Sequence, residues 1–117
     1  MVDGRVERGP AVSPYAYAHF IEGEVEATKG RHDEAAMAFE NANAAPPSDV
    51  LLLARLAEEY ESSGATRRAD RTLSVARRGY PDSALVSMAE GRIARNRGEL
   101  DAALDAFHRA NAQDPAW

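Results

Sequence analysis

Small and apolar residues along this chain recur at three- and four-residue steps. Ala35, Phe39 and Ala42 show the step, then Ala69, Leu73 and Ala76, then Ala103, Phe107 and Ala110. Such spacing lines up one face of an α-helix, and no strand-like alternation competes with it. Start signals agree. Ser13 stands before Pro14, a cap followed by proline at the first helical position. Ser48, Thr66 and Ser83 are further N-cap candidates, and Asp33 is placed to open a helix. The pattern predicts helices at about 14–29, 32–45, 49–63, 66–79, 83–97 and 99–113.

The pattern also repeats. Gly30, Gly64 and Gly98 are 34 residues apart, as are Pro47, Pro81 and Pro115. Ala35, Ala69 and Ala103 keep that spacing, and so do Ala42, Ala76 and Ala110. Phe39, Leu73 and Phe107 hold a large apolar residue in phase, and Gly23, Ala57 and Gly91 a small one. Each glycine falls between two helical stretches, where a left-handed terminus favours a residue without Cβ. Each proline follows the second stretch, which it cannot continue. The unit is therefore helix, tight turn, helix and stop, and a fixed period of this length marks a repeat architecture.

With these residues in place, the chain resembles the tetratricopeptide repeat (TPR) family. The family's small residue, turn glycine, A-x-x-x-F-x-x-A motif and closing proline read here as Gly23, Gly30, Ala35-x-x-x-Phe39-x-x-Ala42 and Pro47. The second copy reads Ala57, Gly64, Ala69, Leu73, Ala76 and Pro81, with Leu53, Leu56 and Tyr60 also matching. The third reads Gly91, Gly98, Ala103, Phe107, Ala110 and Pro115. The resemblance implies an all-α, right-handed superhelical solenoid of three helix-turn-helix repeats, 16–49, 50–83 and 84–117, after a flexible arm at 1–15. Several positions depart from the family pattern. Glu22 and Glu90 stand where leucine is usual, His19 and Ser87 replace a large apolar residue, and Asn43, Arg77 and Asn111 replace another leucine. Such polar substitutions imply looser packing or specific hydrogen-bonded pairs.

The resemblance further implies which residues face the concave side. They are Tyr17, Phe20, Glu24 and Ala27, then Leu51, Ala54, Glu58 and Glu61, then Leu85, Met88, Arg92 and Arg95, with Arg55 on the border. An apolar strip runs across the early positions and a charged strip across the later ones, acidic in the first two copies and basic in the third. That suits an extended or helical peptide with apolar anchors. The family's clamp for chaperone C-terminal tails is absent, because Phe20, Glu24, Arg55, Leu85 and Ala89 occupy its positions.

Composition narrows the rest. The 117 residues carry a net charge of −5, which argues against nucleic acid. With no cysteine, disulfides, thiolate metal sites and cysteine nucleophiles are excluded. No apolar run approaches the roughly 20 residues of a membrane span. His19, His32 and His108 do not have the spacing of a helical metal pair, and neither a phosphate loop nor a nucleophile elbow is present. No cofactor and no enzymatic activity are expected. Arg67, Arg71 and Arg78 share a face of the fourth helix and read as a solvated stripe, since residues 50–83 hold six arginines against five acids. The alanine- and arginine-rich composition has a bacterial cast. The chain as written favours the cytoplasm and leaves a cell-envelope parent protein open.

Leu100, Leu104, Phe107 and Trp117 would border an uncovered final edge, as solenoid ends usually need a cap. Two functions are therefore expected, of different kinds. One is a non-enzymatic module holding a protein or peptide partner in the concave groove. The other is an assembly unit that forms homo-oligomers through the final edge.

Overall fold

The computed structural model describes residues 14–43 and 49–114, and all the regular structure among them is α-helical. Six helices follow one another: α1 (Pro14–Thr28), α2 (His32–Asn43), α3 (Val50–Ser62), α4 (Thr66–Gly79), α5 (Ala84–Asn96) and α6 (Leu100–Gln113). Their bounds lie within two residues of those the periodicity predicts. Ser13, Pro47, Ser48, Pro115, Trp117 and residues 1–13 of the expected arm lie outside the described residues, while Pro14 and Tyr15 belong to α1.

The caps differ in part from expectation. Asp49, not Ser48, caps α3, its Oδ1 accepting from the amides of Leu51 at 2.7 Å and Leu52 at 3.4 Å. Ser83 caps α5 by accepting from the Val86 amide at 3.3 Å. Thr66 is the first residue of α4, and the preceding Ala65 makes no side-chain cap. Asp33 lies within the first turn of α2, where its charge favours the positive end of the helix dipole.

Three tight turns fold the helices into hairpins α1–α2, α3–α4 and α5–α6. Gly30, Gly64 and Gly98 take the left-handed conformation at φ of 75°, 88° and 79°. The residue after each glycine donates back across the turn, Arg31 to Glu26 O at 2.9 Å, Ala65 to Tyr60 O at 2.8 Å and Glu99 to Ala94 O at 2.9 Å. A side chain other than glycine's would be strained at that φ, so the glycine period is a conformational requirement.

Inside the hairpins the small and large columns fit one another. A Cβ on Gly23 would lie 2.5 Å from Cε1 of Phe39, and one on Gly91 would lie 2.5 Å from Cε1 of Phe107. The phenyl rings occupy the space a side chain would need, so the glycine is required by close packing on its helix. Where the middle copy has leucine at that column (Leu73), its small residue is Ala57, fully buried.

Among the described residues, two clusters join the hairpins. The first joins Ala35, Ala36, Phe39 and Ala42 of α2 to Leu52, Leu56 and Tyr60 of α3 and Ala69 of α4. The second is smaller, with Leu53, Ala76 and Val86, and Val50 packed against them. The first thus lies where α2 meets α3, the second where α3 and α4 meet α5.

Candidate functional site

α3 and α5 lie side by side, and the small buried side chains of Ala54 and Ala89 suit their close approach. The open side of this contact forms a groove of about 320 Å³. Leu51, Ala54, Arg55 and Glu58 line it from α3, and Leu85, Met88 and Arg92 from α5. All of these were expected on one surface from the sequence, and the fold brings them together. Leu51, Leu85 and Met88 offer half-buried apolar surface. The charged lining is internally paired: Arg92 Nη1 lies 3.1 Å from Glu58 Oε2. Arg55 Nη2 reaches out of the groove to Glu24 Oε2 on α1, 3.4 Å away. Burial raises the Glu58 carboxyl above the usual carboxylate range, and the Arg92 and Arg55 guanidiniums draw it back only in part. The groove can therefore take an apolar side chain beside a carboxylate already committed to a partner.

The other expected groove residues lie elsewhere. Tyr17 is exposed on α1. Phe20 and Ala27 pack against the first core cluster, Phe20 with its ring centroid 5.6 Å from that of Phe39. Glu61 is tied to Arg97, with Nε to Oε2 at 3.0 Å and Nη2 to Oε1 at 2.7 Å, while Arg95 is exposed outside the groove lining. The acidic-to-basic gradient expected along the charged strip is consequently cancelled: Glu24, Glu58 and Glu61 each face an arginine of the following hairpin.

The sequence reading missed Arg97. It bridges Glu61 and Asp70 Oδ1, the latter at 3.0 Å, and these carboxylates push its guanidinium pKa further up. Arg97 matches Ser63 and Lys29 in the period, so repetition gave no signal. An acid and a base about one period apart, as in Glu58 and Arg92, would have been one.

The polar departures converge as well. Arg77 donates to both carboxylate oxygens of Glu90, to Ser87 Oγ at 3.1 Å and to Pro81 O at 2.7 Å. Ser87 is fully buried and donates to Gln113 Oε1 at 2.7 Å, and Arg109 reaches Glu90 at 2.9 Å. This network borders a second, more open cavity of about 540 Å³ lined by Asp70, Leu73, Ser74, Arg77, Arg78 and Glu90. In the first hairpin His19 and Glu22 pair with each other at 3.0 Å.

The remaining candidates divide. Arg67, Arg71 and Arg78 are exposed, whereas Arg68 lies over the Tyr60 ring, 5.8 Å from its centroid. His32 bonds Glu59 at 2.7 Å and His108 is exposed. At the final edge Leu100 and Leu104 are 66% and 54% exposed, but Phe107 turns inward over Gly91. Among the described residues no cluster of three His, Asp or Glu side chains could hold a metal ion. No helix there is long and apolar enough to cross a membrane.

Known proteins add one finding. The family model described as Iml2/Tetratricopeptide repeat protein 39 matches residues 43–117. No curated protein matches the chain.

Proposed function

The chain belongs to the Iml2/Tetratricopeptide repeat protein 39 family, and from that premise we propose that it is a non-enzymatic interaction module whose α3–α5 groove holds a segment of a partner protein. The family is of the tetratricopeptide-repeat type, which suggests a role in protein–protein interaction. The observation that carries the finer reading is the groove lining. Three half-buried apolar side chains, Leu51, Leu85 and Met88, sit on a floor opened by Ala54. Partner side chains would bury there as anchors, and the paired Glu58 and Arg92 at the far end would fix the direction of the bound segment. In this reading residues 16–49, 50–83 and 84–117 are three repeats of one solenoid, and the groove is part of its concave face.

The test is capture of partners on the wild type beside Leu51→Ala/Met88→Ala, followed by calorimetry with the purified partner segment. Phe20 is unsuited to the test because it also packs on the core. The double variant should keep its helical circular dichroism and weaken binding by about 1–3 kcal/mol. A captured partner bound equally by both proteins would refute the groove as its site.

A further inference from the structure

The first and last described helices, α1 and α6, expose apolar residues at positions equivalent to those by which the inner helices meet a neighbouring hairpin. Three contacts between hairpins supply the template. His32 of α2 meets Glu59 of α3 at 2.7 Å, Glu40 of α2 accepts from the Tyr60 hydroxyl of α3, and Arg77 of α4 binds Glu90 of α5. Shifted by whole periods, the leading partners become Leu100, His108 and Asn111 of α6. The trailing partners become Val25, Glu26 and Glu22 of α1.

These outer pairs are chemically matched. Leu100, 66% exposed, would face Val25, 44% exposed, replacing a polar pair by an apolar one. The His108 imidazole would face the Glu26 carboxylate, and the Asn111 amide the Glu22 carboxylate. Leu104, standing where Asp70 meets Arg97, would face Lys29 and cover its aliphatic stem. A second line of the template agrees. Ala89 and Ile93 of α5, which packs beside α3, are 0% and 3% exposed, whereas their period equivalents on α1, Ile21 and Val25, are both 44% exposed.

Charge selects the orientation. α1 carries Glu22, Glu24 and Glu26 with no lysine or arginine, while α5 carries Arg92 and Arg95 against Glu90. Two α1 helices would repel each other, and an α1 beside an α5–α6 end would not. We infer that α6 of one copy docks on α1 of a second copy, so that the chain associates head to tail by continuing its own repeat. This surface is separate from the α3–α5 groove. A heterologous contact of this kind leaves a free end at every step and grows into open chains unless its rotation closes a ring.

Sedimentation velocity of the chain from micromolar to millimolar concentration tests it. The average mass should rise with concentration and pass beyond a dimer. Val25→Glu, and separately Leu100→Glu/Leu104→Glu, should each stay monomeric, weakening association at least tenfold while keeping wild-type helical content. Mixed together, the two variants should form a 1:1 dimer that grows no further, because one retains its α6 face and the other its α1 face. A wild type monomeric throughout would overturn the inference and leave these faces to a helix of other origin. A closed dimer surviving in either variant would overturn it too, since that contact would be isologous.

Discussion

The two junctions between hairpins are built from different materials. Where α2 meets α3, Phe39, Leu52, Leu56 and Tyr60 make an apolar wall with alanines filling the gaps. Where α3 and α4 meet α5, the apolar cluster among the described residues is smaller, Leu53, Ala76 and Val86 with Val50 packed against them. Both seams carry polar contacts, His32 with Glu59 and Tyr60 with Glu40 at the first. At the second they are more extended: Arg77 with Glu90 and Ser87, Arg97 with Glu61 and Asp70, and Arg92 with Glu58. Helix packing differs in parallel. α5 lies close along α3, while α1 meets α3 through the longer Glu24–Arg55 pair without that close approach. The lesson is that one repeat scaffold tolerates two solutions at its seams. Apolar burial is undirected and scales with area, whereas the ion pairs demand one register of hairpin on hairpin.

Truncation at the apolar seam should have the largest effect. Leu56 is 4% exposed in the first cluster, and Leu56→Ala should cost about 2–5 kcal/mol of unfolding free energy. Denaturant titration in low and high salt would measure it, and the loss should be the same in both. A loss that shrinks with salt would show that the seam is held by charge after all.

The polar seam should respond more weakly and in the opposite manner to salt. Glu90 and Arg77 are both partly exposed, so Glu90→Ala should cost about 1–2 kcal/mol at low ionic strength and less at high. Much of that cost is the arginine left without its partner, as removing one member of a pair is worse than removing both. Arg77→Leu/Glu90→Leu, which restores the family's apolar residues at both columns, should therefore return close to wild-type stability. If the double variant is as unstable as the single one, the network contributes more than its charges.

The contrast between seams also explains what the sequence could reveal. The hairpins were legible because each is local: the glycine turns, the small-against-large columns and the helix bounds depend on residues within one period. The groove lining was legible where it came from neighbouring copies, as with Leu51, Leu85 and Met88. Phe20 was not, because its ring turns onto Phe39 of its own hairpin, whereas the equivalent positions of the next two copies, Ala54 and Met88, line the groove. The gradient of charge failed for the same kind of reason. Glu61 and Arg97 sit 36 residues apart, outside strict phase, and meet only once the hairpins have packed. Of the polar departures, expected to mean looser packing or hydrogen-bonded pairs, His19 with Glu22 and Arg77 with Ser87 and Glu90 took the second course. The Asn43 amide oxygen, by contrast, is buried without a partner. The joining of Arg77, Ser87 and Glu90 in one network, a property of the second seam, was not legible.

The smallest predicted effect separates hairpin from seam. Gly23 and Gly91 meet the same phenyl contact at opposite ends of the chain, one beside the apolar seam and one beside the polar one. Gly91→Ala gains up to about 1 kcal/mol in helix propensity but drives a Cβ into the Phe107 ring, an overpacking worth about 1–3 kcal/mol. The net should be a loss of about 1 kcal/mol. Phe107→Leu beside it removes the clash and recreates the pairing of Ala57 and Leu73 in the middle hairpin, so stability should return to within about 0.5 kcal/mol of wild type. Gly23→Ala with Phe39→Leu should run in parallel if the contact is a property of the hairpin alone. Thermal unfolding of both series decides the matter. Unequal recovery would mean that Phe39, fully buried in the first cluster, is held by α3 as firmly as by its own hairpin, and the division between hairpin and seam would then fail at that end. A stabilising Gly91→Ala would show instead that the Phe107 ring yields freely, and the glycine column would owe nothing to packing.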